Sequence, residues 1–367
     1  MDYNKLTSYQ SVSLILIVIV NHLILDLPNN FIDDCGSGAI LNSIYVIFLG
    51  FIFCMVLIKL FKNFSNSDLL DISEFLGGKV LKNFIGILFI AYLLFTLSIL
   101  LRDFAEGLTL TYFPQMPLFI ILILFLIPPA ISNKMGFKVI IKANSFIVPI
   151  TLLSFIIVSI STISSFQIQK AFPILGYGSY KTFFVGSSNI FAFSGLGFLY
   201  FIAPMLNNKQ DFKKITYISF WITSFLLFFS IVSLILSFSF LRFLNELSPI
   251  YLLVRATNYG QFFQRPEAIF MFIWILSFIA YLSSLIIFLL YVVKKTIKVK
   301  NPNSLSLLIC NIIFVIAIIP TSIWQVKYLQ SVFYKYLSLI LFGVIGLTIL
   351  ILANIKQKKL RRLKPNA

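Results

Sequence analysis

Ten stretches of this chain are apolar over a length that matches the hydrocarbon thickness of a bilayer, and no other feature constrains the fold as strongly. They lie at 11–29, 38–61, 84–105, 116–132, 143–165, 183–205, 215–241, 267–293, 305–326 and 333–355. A helix needs about 20 apolar residues to cross a hydrocarbon core of about 30 Å. The runs are continuous, not alternating, so they predict helices and not the strands of a barrel. Hydrophobic residues make up 59% of the chain and charged residues 11%, against about 25% charged in a typical soluble domain. Too few polar residues remain to cover a soluble core, and such hydrophobicity also excludes disorder. The expected fold is an all-α membrane protein of ten transmembrane helices forming one polytopic domain over 1–367. The first run is longer than the apolar core of a signal peptide and lacks an Ala-x-Ala-like exit, so it is expected to stay in the chain.

The net charge of +17 raises a nucleic-acid reading, which the positions of the charges dispose of. With the N-terminus placed inside, 21 of the 29 lysines and arginines fall in inner segments, in clusters such as Lys134, Lys138, Lys142 and Lys356 to Lys364. The outer side then holds Arg102, Lys170, Lys181, Arg242, Arg255, Arg265, Lys327 and Lys335. Basic residues favour cytoplasmic loops, so both termini are expected to be cytoplasmic, as an even number of spans requires. The basic residues set topology and meet anionic lipid.

Two connections are long. Residues 62–83 carry Leu69, Leu70, Ile72, Phe75 and Leu76 between charged positions and predict a short amphipathic helix lying on the cytoplasmic membrane surface; the alternative is a solvated loop. Residues 242–266, with Pro249, Gly260 and Pro266, predict an irregular segment.

Polar groups inside the spans are the functional candidates. The first span holds Asn21, His22 and Asp26, followed by Pro28. Asn competes for backbone hydrogen bonds, so the span is expected to be partly unwound there, with polar groups facing a cavity; the alternative is interhelical bonding by Asn21 and a wetted Asp26. The sixth span carries Ser194-Gly195-Leu196-Gly197 at its centre, which weakens the helix by about 1 kcal/mol per Gly or permits close packing. Interruptions five spans apart are the arrangement of transporters built from two inverted repeats, with substrate at the midplane between discontinuous helices. The repeats would cover about 8–165 and 183–355. Neither a metal nor a cofactor site is expected from one His and the scattered Cys35, Cys54 and Cys310. Metalloprotease, phosphate-loop and nucleophile-elbow motifs are absent from the sequence. A membrane acyltransferase with its His in the first span would want a partner for His22 beyond Asp26, so the chain is not read as an enzyme.

Several local elements resemble the spore germination permeases, the B subunits of GerA-type germinant receptors, within the amino acid–polyamine–organocation transporter superfamily. They are Leu6-Thr7-Ser8-Tyr9-Gln10 before the first span, Leu27-Pro28 at its end, and Phe75-Leu76-Gly77-Gly78-Lys79 in the first inner loop. Arg102-Asp103-Phe104-Ala105-Glu106, Met116-Pro117, Phe172-Pro173-Ile174-Leu175-Gly176-Tyr177-Gly178, and Arg265, Glu267 and Trp274 follow in the family's order. The chain departs from the family at Asn21-His22, where many members have Gly-Ser, and at Gly195-Leu196-Gly197, where many have Gly-x-Glu.

The resemblance implies a nutrient-sensing subunit in the inner membrane of a bacterial spore. It would assemble with an A and a C subunit and bind a small nutrient, usually an amino acid, to trigger germination. A working amino-acid/cation symporter is the alternative of the same fold. In such folds the pocket lies between spans one, three, six and eight. Asn21, His22 and Leu23 would then face Ser194, Gly195 and Leu196. Tyr92 and Thr96 would form one wall, and Trp274, Ser277 and Tyr281 another, each set spaced three or four residues apart along one helix stripe. The aromatic stripe of the eighth span also fits an ordinary core.

Overall fold

The computed structural model describes residues 5–25, 27–238, 249–256 and 266–363. Asp26, Arg242, Gly260 and Arg265 lie outside the described residues, as does the side chain of Glu267. The described chain is built from helices, with one isolated bridge where Leu6 pairs with Leu206 beside the end of the sixth apolar run.

Twelve helical elements follow in chain order: α1 (Ser8–Leu25), α2 (Leu27–Cys35), α3 (Ala39–Phe61), α4 (Leu69–Thr111), α5 (Leu118–Met135), α6 (Phe137–Ser161), α7 (Tyr180–Met205), α8 (Asp211–Ser237), α9 (Pro249–Ala256), α10 (Pro266–Ile297), α11 (Pro302–Ile318) and α12 (Ile323–Arg362). Among the described residues eight helices are long and apolar enough to cross a membrane, with α2 and α3 counted together as one; α1 and α11 are shorter apolar helices. The outward faces are apolar where a soluble protein would be charged: Phe84, Phe119, Phe146, Phe272, Ile319 and Val344 are all more than half exposed. Such a belt is the surface lipid would cover, so this is an integral membrane protein.

At the centre stands α10. It packs against α1, α4, α5 and α6, and buried serines along it receive asparagines from three neighbours. Asn21 Nδ2 of α1 donates to Ser277 Oγ (2.9 Å), Asn133 Nδ2 of α5 to the Ser283 carbonyl (3.1 Å), and Asn144 Nδ2 of α6 to Ser284 Oγ (2.8 Å). With no water to compete, such bonds set the angular position of each helix about α10.

Three segments depart from the sequence expectation. The amphipathic segment of residues 62–83 is helical from Leu69, but Leu69, Leu70 and Ile72 are buried in the protein and do not face outward. Asp68 and Asp71 form a capping box at its start. Lys295 of α10 reaches both carboxylates at 2.6 Å, Tyr291 donates to Asp68, and Lys356 Nζ caps the helix end through the Phe75 carbonyl (2.7 Å). These polar clamps hold the apolar face against the bundle. The element runs into the third span through a kink at Gly77 and Gly78, the latter at φ +70°, ψ −166°, a conformation open to glycine.

The unwinding expected at Asn21-His22 is not there: α1 is helical through Leu25. Asn21 Nδ2 bonds the Ile17 carbonyl one turn back (2.8 Å) as well as Ser277, so the side chain is accommodated without opening the backbone. The sixth run is distorted without being opened. Tyr180–Phe184 is π-helical and Val185–Phe198, which contains Ser194-Gly195-Leu196-Gly197, is a 14-residue 3₁₀-helix. Runs of 3₁₀ longer than about four residues are uncommon and mark strain or a hinge. The last helix has π-helical stretches at Leu329–Tyr334 and Leu339–Gly346.

Candidate functional site

Val18 and His22 from α1, Tyr92 and Thr96 from α4, Ser194, Gly195 and Phe198 from α7, Leu285 from α10 and Tyr334 from α12 line a narrow cleft. No part of it is wide enough for a water molecule. Five of the residues singled out in the sequence therefore meet: His22, Tyr92, Thr96, Ser194 and Gly195. Close approach is a property of glycine at Gly195, where a Cβ would stand 2.4 Å from Ile19 Cγ1. The tightened helix and its missing side chain let α7 rest on α1 directly.

His22 is the polar centre of the cleft. Its Nε2 lies 3.3 Å from the Tyr281 hydroxyl and 3.1 Å from the Tyr334 hydroxyl. The imidazole stacks on Tyr334 (5.3 Å between centroids, 8° between planes) and meets Tyr281 edge-on (5.5 Å, 88°). Tyr92 stacks on Tyr334 at 6.2 Å. The result is a buried lamination of aromatic rings with three hydroxyls and one imidazole. A ring nitrogen either donates or accepts one proton, and a phenol does both, so the cluster can exchange its internal bonds for bonds to a polar guest.

The remaining residues of the sequence reading fall elsewhere. Asn21 and Ser277 are bonded to each other between α1 and α10, off the cleft wall; Asn21 Oδ1 is buried with no partner among the described residues. Leu23 and Leu196 are fully buried and do not line the cleft. Trp274 packs edge-on to Phe104 at 4.8 Å, inside a cluster with Phe125 and Phe278, which is the core alternative for that position.

Two groups were not singled out beforehand. Tyr334 stacks on His22 and lies within hydrogen-bonding distance of its Nε2, and its only sequence signal is a tyrosine in the tenth apolar run. Lys335, next in the chain and expected as an outer loop charge, is buried at 5% exposure. Its Nζ meets Asp34 Oδ2 at 2.7 Å and Asn189 Oδ1 at 2.9 Å. Asn189 Nδ2 donates to Asn42 Oδ1 (3.1 Å), and Asn42 Nδ2 to the Thr182 carbonyl (2.7 Å). This network ties α2, α3 and α7 to α12, immediately beyond the cleft. Two further outer charges are also internal: Arg102 meets Glu106 at 2.5 Å and the Ala317 carbonyl at 3.1 Å, and Lys327 meets Asp103 at 3.1 Å.

Comparison with known proteins gives consistent matches. The family described as spore germination protein matches residues 5–326. Spore germination protein B2 of Bacillus subtilis (strain 168) is 23% identical over 237 residues, covering 63% of this chain and 62% of that relative. Spore germination protein YndE of the same organism is 20% identical over 371 residues, covering 97% of this chain and 98% of that relative.

Proposed function

This chain belongs to the spore germination protein family, and on that premise we propose that it is the membrane subunit of a germinant receptor that binds a small nutrient to start germination. The observation that carries the reading is the cleft itself. Residues from α1, α4, α7, α10 and α12 converge on His22, Tyr334 and Gly195, in a protein whose family role is germination. The nutrient is a small zwitterion, usually an amino acid. His22, the tyrosine hydroxyls and Thr96 meet its polar end, and the aromatic walls meet its side chain. Asn21, Leu23, Ser277, Leu196 and Trp274 support the wall from behind.

The eight long helices together with α1 and α11 supply ten spans, which we read as two sets of five in the inverted-repeat arrangement. Distortion of α7 at Val185–Phe198 supports that reading. The receptor assembles with A and C subunits in the inner membrane of the spore, with both termini on the core side.

The test is a deletion strain scored for germination against a panel of amino acids, paired with isotope flux in proteoliposomes holding the purified chain. Loss of response to one nutrient, with flux no greater than in empty liposomes, is expected. Nutrient flux at a symporter's rate would overturn the sensor reading in favour of transport.

A further inference from the structure

At the lysine-rich end of the bundle, the close of α3 and the start of α8 frame an open groove of about 740 Å³. Lys59, Lys62, Lys209 and Lys213 line it above an apolar floor. Among the described residues none of its lining side chains is acidic, and none of these four ammonium groups has an ion pair. The one acidic side chain at the start of α8, Asp211, is engaged by the Ser8 hydroxyl at 2.7 Å. Four like charges gathered without a counter-charge are a site in want of an anion.

The helix spacing says what kind. On α3 the positions 48, 52, 55, 59 and 62 follow one face, three or four residues apart. They run from exposed Phe48, Ile52 and Met55 to Lys59 and Lys62. On α8 the positions 213, 217, 221 and 225 do the same, from Lys213 through Tyr217 to exposed Trp221 and Phe225. Phe51 pins the two helices together against Tyr217 and Trp221, with ring centroids 6.1 and 6.0 Å apart. The stretch from Phe48 to Lys62 rises about 21 Å at about 1.5 Å per residue, enough to cover one leaflet's half of an about 30 Å hydrocarbon core. A soluble anion would use only the lysines, and an acidic peptide would leave the apolar wall uncovered.

We propose that the α3–α8 groove is a binding site for an anionic phospholipid, with the headgroup phosphate among Lys59, Lys62, Lys209 and Lys213 and the acyl chains along Phe48, Met55 and Trp221. Basic pockets between membrane helices are suited to such headgroups.

The experiment measures thermal melting of the full chain in neutral detergent, titrated with phosphatidylglycerol, with phosphatidylcholine of the same acyl chains, with inorganic phosphate, or with a poly-glutamate peptide. Phosphatidylglycerol is expected to stabilise and the other three are not. The combined variant Lys59→Gln, Lys62→Gln, Lys209→Gln, Lys213→Gln should weaken the phosphatidylglycerol effect by about fivefold per lysine. A variant with Lys134→Gln, Lys138→Gln, Lys142→Gln and Lys300→Gln should not weaken it. Equal weakening in both variants, or equal stabilisation by inorganic phosphate or by the peptide, would overturn the proposal in favour of diffuse charge, a free anion or an acidic protein partner. Photolabelling of the unaltered chain with a phosphatidylglycerol bearing a photoreactive acyl chain does not depend on the variants folding. Adducts concentrated in 48–62 and 213–225 are expected, and adducts spread evenly over the lipid-facing helices would refute the site.

Discussion

One nitrogen of His22 stands within hydrogen-bonding distance of two phenols, Tyr281 and Tyr334. It cannot satisfy both in the same way, and the cluster therefore holds a hydrogen-bonding capacity that a guest can take over. Two substitutions probe the space beside it. Gly195→Leu drives a side chain into Ile19, already 2.4 Å from where a Cβ would be. It should abolish the nutrient response at a stability cost of about 1–3 kcal/mol from overpacking, with the protein still present in spore membranes by immunoblot. Thr96→Phe should have the same effect by filling the cleft. Normal dose–response curves in both variants, at normal protein level, would place nutrient binding elsewhere. The neighbouring Lys335 is a separate matter of pairing. Lys335→Met leaves Asp34 and Asn189 without their cation and should cost about 2 kcal/mol, less than a fully buried pair because Asp34 is one-quarter exposed. Adding Asp34→Leu should restore much of the lost melting temperature, since the uncompensated charge, more than the missing bond, is what destabilises.

Elements were legible in the sequence to the extent that lipid dictates them. The long apolar runs appear as helices because a bilayer leaves the backbone no other partner. What was hidden depended on partners distant in sequence. The segment starting at Leu69 has the pattern of a surface helix, and only the placement of Lys295 and Lys356 beside it turns its apolar face inward. Asn21 has the pattern of a helix breaker, and only Ser277 in the facing helix makes it a packing residue. The π-helical stretch ending at Tyr334 leaves no mark in composition, which is why that residue went unread while His22, a lone titratable group in an apolar run, stood out. The kink of α4 offers a clean test. Gly78→Ala meets no neighbouring atom but must hold φ +70°, ψ −166°, and should cost about 1–3 kcal/mol in thermal melting. The cap of the same helix should respond to pH. Burial raises the Asp68 carboxyl above its ordinary value, against the opposing pull of Lys295. The folded state therefore holds that proton more tightly than the unfolded chain. Stability from this group should rise as pH falls from above the raised value towards the ordinary carboxylate range, then level off below it. Asp68→Asn, still a good cap, should flatten that part of a melting-temperature profile against pH; an unaltered profile would assign the dependence to another group.

At the scale of the molecule, the bundle is closed around its reactive groups. Cys35, Cys54 and Cys310 are free and buried, so a maleimide should leave the folded protein unlabelled and add to all three thiols on denaturation, which makes labelling a direct count of global opening. The same closure bears on the cleft at His22, which in this conformation admits no water. On the proposed function, a nutrient would need more room than this conformation offers, so the helices would part before binding. The observed affinity is then the intrinsic affinity divided by the rarity of the parted state. A receptor of that kind would ignore traces of its ligand however well the ligand fits, and its threshold would be set by how firmly α7 and α12 rest on α1. On that same proposal, the stiffness of the packing, tuned by substitutions that never touch the nutrient, would decide how much food a dormant cell must sense before it commits to waking.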